Sequence, residues 1–322
     1  MDIKNTYTEK FINAGRFDQN SLFIRDNLIY ETITGSNVYG TNTTESDVDI
    51  VGIFMDRQSD LYPGNFGHIL GFDVPNRFES KELKDKSKIQ LPSGKDCEGE
   101  WHSLTNFFTL AGLKGSPNLV EILFTRNNFV ILGGPIAGLL RDNRKLFLSM
   151  RTYLAFRGFA YGQLQRIRNH HNTGKSDNPK RQFLMDSFGY DTKQAYHLLR
   201  LLDQLEQILT TNDIDLMRNK EQCIACRNGT FGTFDYLEEY FNKKLLALEE
   251  LTTKVSVPSQ PQTGALHSLL TNCLEQYYGS ESNMQKQCNE YISAKMVMDR
   301  LDSMESNICE RLKPNALTTI RG

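Results

Sequence analysis

The segment from Leu28 to Phe54 constrains the fold of this chain most, because two strand-like runs flank a glycine-serine turn and a pair of aspartates. Residues 28–34 (LIYETIT) are rich in β-branched and aromatic residues and predict a strand that ends at Gly35-Ser36. Glycine lets the backbone approach a phosphate with no side chain in the way. Ten residues separate Ser36 from Asp47, where a second predicted strand begins, residues 47–54.

The two aspartates of the second strand indicate a cation site. Side chains alternate across a strand, so Asp47 and Asp49 project from the same face, about 7 Å apart. Two carboxylates at that distance repel each other unless a cation lies between them. Hard oxygen ligands suit Mg²⁺, which keeps waters and substrate phosphates in its coordination shell.

This arrangement resembles the signature of the DNA polymerase beta-type nucleotidyltransferase superfamily, in which a glycine-serine turn precedes Asp-hydrophobic-Asp. Residues 35–54, 103–124 and 189–202 are similar to its branch of predicted RNA-repair-pathway nucleotidyltransferases, common in bacteria and large phages. The resemblance covers roughly residues 20–275. Residues 116–118 read Ser-Pro-Asn where the family usually has Asn-Pro, so we assign that position no role.

The resemblance implies a metal-dependent nucleotidyltransferase. A nucleoside triphosphate would bind with its phosphates against Gly35 and Ser36, and Mg²⁺, or Mn²⁺ in its place, would be held by Asp47, Asp49 and a third carboxylate. The implied acceptor is an RNA end, such as that of a transfer RNA. Two alternatives stay open: nucleotide transfer to a protein or small molecule, and a non-catalytic protein that binds nucleotide or RNA.

The resemblance also implies that the third carboxylate lies on a strand next to the Asp-x-Asp strand, where it would bind the metal and take the proton from the attacking hydroxyl. Residues 96–102 (DCEGEWH) precede a predicted helix over 104–113. In a strand, Asp96, Glu98, Glu100 and His102 share one face. Counting back from the helix, Glu98 matches the family position best, and Glu100 is the alternative.

A second group of candidates lies on a helix predicted over 191–211, with Asp191 as its N-cap. Lys193, His197 and Arg200 recur at helical spacing and form one stripe. We predict that this stripe faces the triphosphate, because lysine and arginine stabilise a leaving pyrophosphate. An ordinary solvated helix surface is the alternative.

Residues 166–181 (RIRNHHNTGKSDNPKR) form the strongest local basic cluster. Clusters of this kind contact nucleic-acid backbones, and an ordinary solvated loop is an equally good interpretation. Gly174 and Pro179 predict that a helix ends and a loop begins within the cluster. The candidate phosphate contacts are Arg166, Arg168, Lys175, Lys180 and Arg181.

Composition sets the remaining bounds. The 322 residues carry a net charge of −2, so any polyanion must be bound by a local patch. With no apolar run of about 20 residues and no hydrophobic leader, we expect a cytoplasmic protein, in a bacterium or a phage-infected cell, without membrane contact. We predict that Cys223 and Cys226 are buried thiols on one helix and not zinc ligands, because the sequence has no second CxxC pair to complete a zinc site. The oligomeric state is left open.

The predicted fold class is α/β (α+β): a nucleotidyltransferase core with a small mixed sheet over residues 1–145, followed by a helical domain over 146–322. Residues 56–95 read as a polar insertion, interpreted as a surface loop, with a lid over the site as the alternative. Beyond residue 145 the pattern is almost wholly helical, and helices are predicted at roughly 136–149, 151–170, 191–211, 216–228, 233–252 and 265–278.

Overall fold

The computed structural model describes residues 5–57, 61, 88–254, 257–279, 297, 300 and 301. Most of the predicted insertion over 56–95, and most of the tail beyond Gly279, lie outside these residues. The choice between a surface loop and a lid therefore stays a prediction.

The described residues form one five-stranded mixed sheet with the strand order β3-β4-β2-β1-β5. Strand β2 is antiparallel to β1 and parallel to β4, so the Asp-x-Asp strand lies at the centre. The α/β class with a small mixed sheet is confirmed. The strands are β1 (Leu28–Thr34), β2 (Val48–Phe54), β3 (Lys88–Gln90), β4 (Asp96–Ser103) and β5 (Val130–Leu132).

Helices before and within the sheet region are short, and those after residue 149 are mostly long. They are α1 (Tyr7–Asn13), α2 (Ile24–Asn27), α3 (Leu104–Phe107), α4 (Pro117–Glu121), α5 (Pro135–Asp142), α6 (Met150–Thr173), α7 (Pro179–Phe188), α8 (Thr192–Thr211), α9 (Lys220–Arg227), α10 (Phe234–Thr252) and α11 (Thr263–Tyr278). The helical region after the sheet is thereby confirmed. Helix α3 continues as a π-helix over Phe108–Leu113. Short 3₁₀ turns cover Gln19–Ser21, Gly35–Asn37, Ile122–Phe124, Asn127–Phe129 and Arg144–Phe147.

Two helix predictions were wrong. The helix expected over 136–149 ends at Asp142, and a separate 3₁₀ turn follows it. No helix was predicted between 170 and 191, yet α7 forms there. Asn178 Oδ1 accepts a hydrogen bond from the backbone N–H of Lys180 at 3.0 Å, and Pro179 occupies the first helical position. Asparagine is favourable at the N-cap of a helix and proline at its first position. The Asn-Pro pair, interpreted from the sequence as part of a loop, therefore starts a helix here.

The alternation of side chains along β2 decides where a site can open. Ile50 and Phe54 point to a smaller core that includes Phe11 and Trp101. The opposite face carries Val51 and Ile53, which pack into the main core together with the long helices. Asp49 alternates onto that second face. The aspartate therefore projects into the space between the sheet and the helical half.

The main core is continuous across the predicted domain boundary at residues 145 and 146. It contains Ile29 of β1, Phe156 of α6, Leu198 of α8 and Cys273 of α11. Two separate domains stay a prediction. None of the helices in the described ranges is both long and apolar enough to cross a lipid bilayer.

Candidate active site

The Gly35 turn follows β1 and lies against Asp49 of β2. Gly35 has a φ of +68°, and a Cβ atom there would stand only 2.1 Å from Asp49 Oδ2. Any other residue would collide with the carboxylate, so this position requires glycine for both conformation and space. The Ser36 carbonyl accepts a hydrogen bond from the Thr41 N–H at 3.0 Å, which closes the turn. The structure therefore brings the predicted turn and the second aspartate together.

Asp49 is the electrostatic centre of the site. It pairs in register with Glu98 across the parallel strands β2 and β4. Burial, and then the negative charges of Glu98 and Asp47, raise the pKa of Asp49 to about 6, while Lys193 and Lys88 oppose the shift. Asp47 lies one residue before β2 and is exposed. Three carboxylates thus act on one another at the end of the two central strands.

Glu98 and Glu100 occupy different environments on the same face of β4. Glu98 lies beside Asp49 and forms an ion pair with Lys88 of the edge strand β3. Glu100 lies one pleat further along, and its Oε1 is 2.7 Å from Nε2 of the fully buried His102. Each glutamate therefore has a partner in the protein, and Glu98 is the one that lies next to the Asp-x-Asp pair.

The acidic cluster fits a hard divalent cation in charge and donor type. Carboxylate oxygens on adjacent strands are suitable Mg²⁺ ligands, and Mn²⁺ accepts the same donors. The raised pKa of Asp49 shows that burial and its acidic neighbours disfavour its charge, a penalty that a cation would offset. Within the part of the chain that the structure describes, no three acidic, His or Cys side chains already stand in metal-binding geometry.

The predicted basic stripe on α8 divides between two environments. Lys193 is exposed, and its pKa is lowered by desolvation and by the charges of Arg181 and Arg227. Burial, followed by the charges of Arg200 and Lys193, lowers the pKa of His197 well below its usual value. The imidazole is therefore neutral near pH 7, so it can serve as a hydrogen-bond donor or acceptor but not as a cation.

Arg200, the third member of the stripe, is not a solvated residue. It is only 4% exposed and forms a buried ion pair with Glu121 of α4. Its guanidinium stacks over the Tyr39 ring, 4.1 Å from the centroid, and the Tyr39 hydroxyl donates a 2.5 Å hydrogen bond to Glu121 Oε2. Arg200 reaches the wall of the cavity, but its charge is already compensated by Glu121. The pairing links α8 to α4 and to the loop after Ser36.

The basic cluster over 166–181 does not form one surface. Arg166 reaches the cavity, while Arg168 lies 2.5 Å from Glu238 in an ion pair on α10. Lys175 and Lys180 are exposed at the turn between α6 and α7. Arg181 donates to both carboxylate oxygens of Asp191, at 3.0 and 2.8 Å, and lines the same cavity as Arg166.

Sequence reasoning missed Arg227 altogether. Its guanidinium donates a hydrogen bond to the carbonyl of Thr41 and lies 5.5 Å from the centroid of the Tyr196 ring. It also contributes to the lowered pKa values of Lys193 and His197. Arg227 ends a short helix with two buried cysteines, Cys223 and Cys226, whose prediction as free, buried thiols is confirmed. Only the packing of α9 against α8 brings this arginine to the site.

A cavity of about 650 Å³ opens between the acidic strands and the helices. This volume lies in the range of small-molecule and cofactor sites. Its floor is the sheet, with Gly35, Asp49, Glu98 and Glu100. The opposite wall comes from α4, α6, α7 and α8, and its polar members are Asn118, Glu121, Gln163, Arg166, Arg181, Gln194, His197 and Arg200. Acidic groups therefore face mainly basic and amide groups across one space.

Comparison with known proteins identifies the family of the chain. The profile of the RNA repair pathway DNA polymerase beta family (RlaP) matches residues 9–276. An uncharacterised 38.9 kDa protein in the nrdC–mobD intergenic region of enterobacteria phage T4 is 30% identical over 132 residues, covering 40% of this chain and 36% of the phage protein. Since the family match covers most of the chain, the resemblance stated from the motifs is confirmed. The protein belongs to the RNA repair pathway DNA polymerase beta family.

Proposed function

We propose that the protein is a divalent-metal-dependent nucleotidyltransferase that transfers a nucleoside monophosphate from a nucleoside triphosphate to a hydroxyl of RNA. The observation that carries the proposal is the register pair of Asp49 and Glu98 beside the Gly35 turn. It combines a close backbone approach for phosphates with clustered carboxylates at the floor of one cavity. The acceptor rests on the family's place in RNA repair, and a transfer RNA end is the first substrate to test.

The reaction joins an acceptor hydroxyl oxygen to the α-phosphorus and breaks the bond between that phosphorus and the bridging oxygen to the β-phosphate. Pyrophosphate leaves with the bond electrons, and the hydroxyl proton passes to a carboxylate. Asp47, Asp49 and Glu98 would hold Mg²⁺ or Mn²⁺, which supplies charge neutralisation for the attacking and leaving oxygens when bound. Glu98 is the proton acceptor in this scheme because it lies directly beside Asp49.

The remaining side chains bind and orient the substrate. The turn at Gly35 and Ser36 leaves room for phosphate oxygens, because no side chain projects from Gly35. Lys193 offers a positive charge to the leaving pyrophosphate. His197 offers a neutral imidazole for a hydrogen bond, and Arg166 extends the cationic side of the cavity. Exposed Lys175 and Lys180 provide contacts for the RNA backbone just outside.

The test is incorporation of label from each of four α-³²P nucleoside triphosphates in the presence of Mg²⁺ or Mn²⁺ and total cellular RNA. Wild type is compared with Asp49→Asn and with Asp235→Asn, a matched change of an exposed aspartate on α10. RNA, protein and small-molecule fractions are separated before counting. We expect label in RNA with wild type and Asp235→Asn, and none with Asp49→Asn.

Other outcomes decide between the remaining functions. Label in protein or in small molecules, lost in Asp49→Asn, would keep the transferase and replace RNA as the acceptor. Nucleotide binding without label in any fraction, with either metal, would point to a non-catalytic binding protein. Equal incorporation of label by Asp49→Asn and wild type would show that this site does not carry out the reaction.

A further inference from the structure

Helix α6 presents three side chains to the cavity at helical spacing. Phe159, Gln163 and Arg166 lie one turn apart and all line the same space. Asp49 and Glu98 line the opposite side. A molecule whose phosphates lie at the acidic strands would therefore direct its other end toward this face of α6.

Gln163 is unusual within this face. Its side chain is only 5% exposed, and its Oε1 atom is buried without a hydrogen-bond partner. Buried amide groups in folded proteins are nearly always paired, because a lost hydrogen bond to water costs free energy. The core positions next to it on α6, Ala160 and Leu164, are apolar. The Oε1 atom at the cavity wall is therefore an acceptor that a donor group of a ligand would satisfy.

We propose that Gln163 selects the nucleobase of the bound nucleoside triphosphate, and that Phe159 supports the base through its ring. This inference rests on the proposed function and extends it to the identity of the nucleotide. Phe159 is half-buried, packs against the main core and lines the cavity, so it offers a rigid flat surface to a base. Gln163 follows one turn later, within reach of the edge of a base held there.

The chemistry of an amide explains why it selects a base. A glutamine side chain has one carbonyl acceptor and one amino donor group, a pattern that pairs with the edges of bases. The surrounding wall allows only some orientations of a side chain that is this buried. A base whose donors and acceptors do not match leaves polar groups unpaired, and the site rejects it. Gln163 therefore controls the choice among bases, while the acidic strands control phosphate binding.

The test is equilibrium binding of ATP, CTP, GTP, UTP and inorganic tripolyphosphate, each with Mg²⁺, to three proteins. These are wild type, Gln163→Leu, and Gln165→Leu, which changes an exposed glutamine two residues away on the same helix. We expect wild type and Gln165→Leu to prefer one base by about tenfold or more. Gln163→Leu should bind all four nucleotides within about threefold of one another and keep its tripolyphosphate affinity.

A second substitution, Gln163→Glu, tests the same role if Gln163→Leu fails to fold. Gln163→Glu keeps the size and the acceptor atoms but loses the amino donor. It should alter the order of preference among the four nucleotides, and circular dichroism and thermal unfolding verify that each variant is folded. The charge change acts on all four triphosphates alike, so the order of preference, and not the absolute affinity, is the quantity to compare.

The outcomes separate this inference from the proposed function. Equal binding of the four nucleotides by wild type, or unchanged preference in both folded Gln163 variants, would overturn the role of Gln163 while the nucleotide site stands. Failure of wild type to bind any nucleoside triphosphate would overturn the proposed function and this inference with it.

Discussion

Glu98 lies directly beside Asp49 in the parallel pairing of β4 with β2. The two carboxylates come from strands that are far apart in the chain, and 48 intervening residues separate their positions. Burial raises the pKa of Asp49 to about 6, and the nearby charge of Glu98 is the second contribution to this shift. The strand register also distinguishes Glu98 from Glu100, which contacts buried His102.

Replacement of the two glutamates should give unequal losses of activity. Glu98→Gln removes the carboxylate next to Asp49 and should lower nucleotide transfer about 100-fold or more. Glu100→Gln should reduce it less, because Glu100 lies opposite Val51 in the strand register, further from Asp49. Initial rates at saturating Mg²⁺ measure both effects, with Glu250→Gln, an exposed glutamate on α10, as the control. A larger loss in Glu100→Gln would make Glu100 the third carboxylate.

Gly35→Ala should inactivate the protein because its new Cβ atom collides with Asp49. Gly174→Ala is the control that shows the effect of backbone strain alone. Gly35 and Gly174 have similar positive φ values, +68° and +63°, but only Gly35 would place a Cβ against Asp49. Both alanine variants should lose about 1–2 kcal/mol of stability from backbone strain. Only Gly35→Ala should also lose transfer, since the methyl group displaces the carboxylate. Urea unfolding and labelling assays on both variants test this, and full activity of Gly35→Ala would contradict the close approach.

The metal-free protein should lose stability as the pH rises through the titration of Asp49. Its folded-state pKa of about 6 lies above the ordinary value of 3.8, so the folded state binds the proton more tightly than the unfolded state. The resulting stabilisation is complete below pH 3.8 and disappears as the pH rises through 6. Asp49→Asn should therefore be more stable than wild type at pH 7 without metal, by about 1–3 kcal/mol.

Chemical unfolding from pH 4 to 8, with a chelator and then with Mg²⁺, measures this effect. Mg²⁺ should restore stability to wild type at pH 7 and have little effect on Asp49→Asn. Asp235→Asn serves as the control and should show no gain in stability at pH 7, because Asp235 lies in the first turn of α10, where a negative charge is favourable. An Asp49→Asn variant that is less stable than metal-free wild type at pH 7 would show that the carboxylate is favourably paired instead.

The buried pair of Arg200 and Glu121 should be important for stability. Glu121→Gln leaves the Arg200 charge without its partner in a site where both side chains are almost fully buried, and it should cost about 3–5 kcal/mol. Glu239→Gln breaks an exposed pair with Lys243 and should leave the unfolding midpoint unchanged. A small loss in Glu121→Gln, together with strongly weakened triphosphate binding in Arg200→Lys, would return Arg200 to the role of a phosphate ligand.

Local signals predict the parts of the fold that depend on neighbours in the chain. The run over 28–34 forms β1 with the predicted bounds, because its β-branched and aromatic residues favour a strand whatever packs on it. Asp191 is the predicted N-cap, and its Oδ1 accepts the Gln194 N–H at 3.0 Å. Helix α7 was missed, since an asparagine followed by a proline starts either a turn or a helix, and the packing of the next residues decides between them.

The burial of individual side chains and their pairing with distant residues could not be predicted from the sequence. Helical spacing put Lys193, His197 and Arg200 on one stripe, but it could not show that Glu121 of a distant helix compensates Arg200. Likewise, Arg227 gave no signal, because its approach to Thr41 depends on how α9 packs against α8. Charge and spacing specify which groups a segment carries, while their surroundings depend on elements far away in the chain.

The family and the chemical groups of the candidate site can be read from the amino-acid sequence: a glycine that leaves space, two aspartates at the start of one strand and two glutamates on one face of another. These follow from residue identity and from the period of a strand, which are local properties. Three relationships exist only in the folded chain: Glu98 lies beside Asp49, Glu121 compensates Arg200, and Gln163 reaches the cavity without a partner for its Oε1 atom. Strand register and helix packing bring distant residues together, and no local pattern encodes which ones meet.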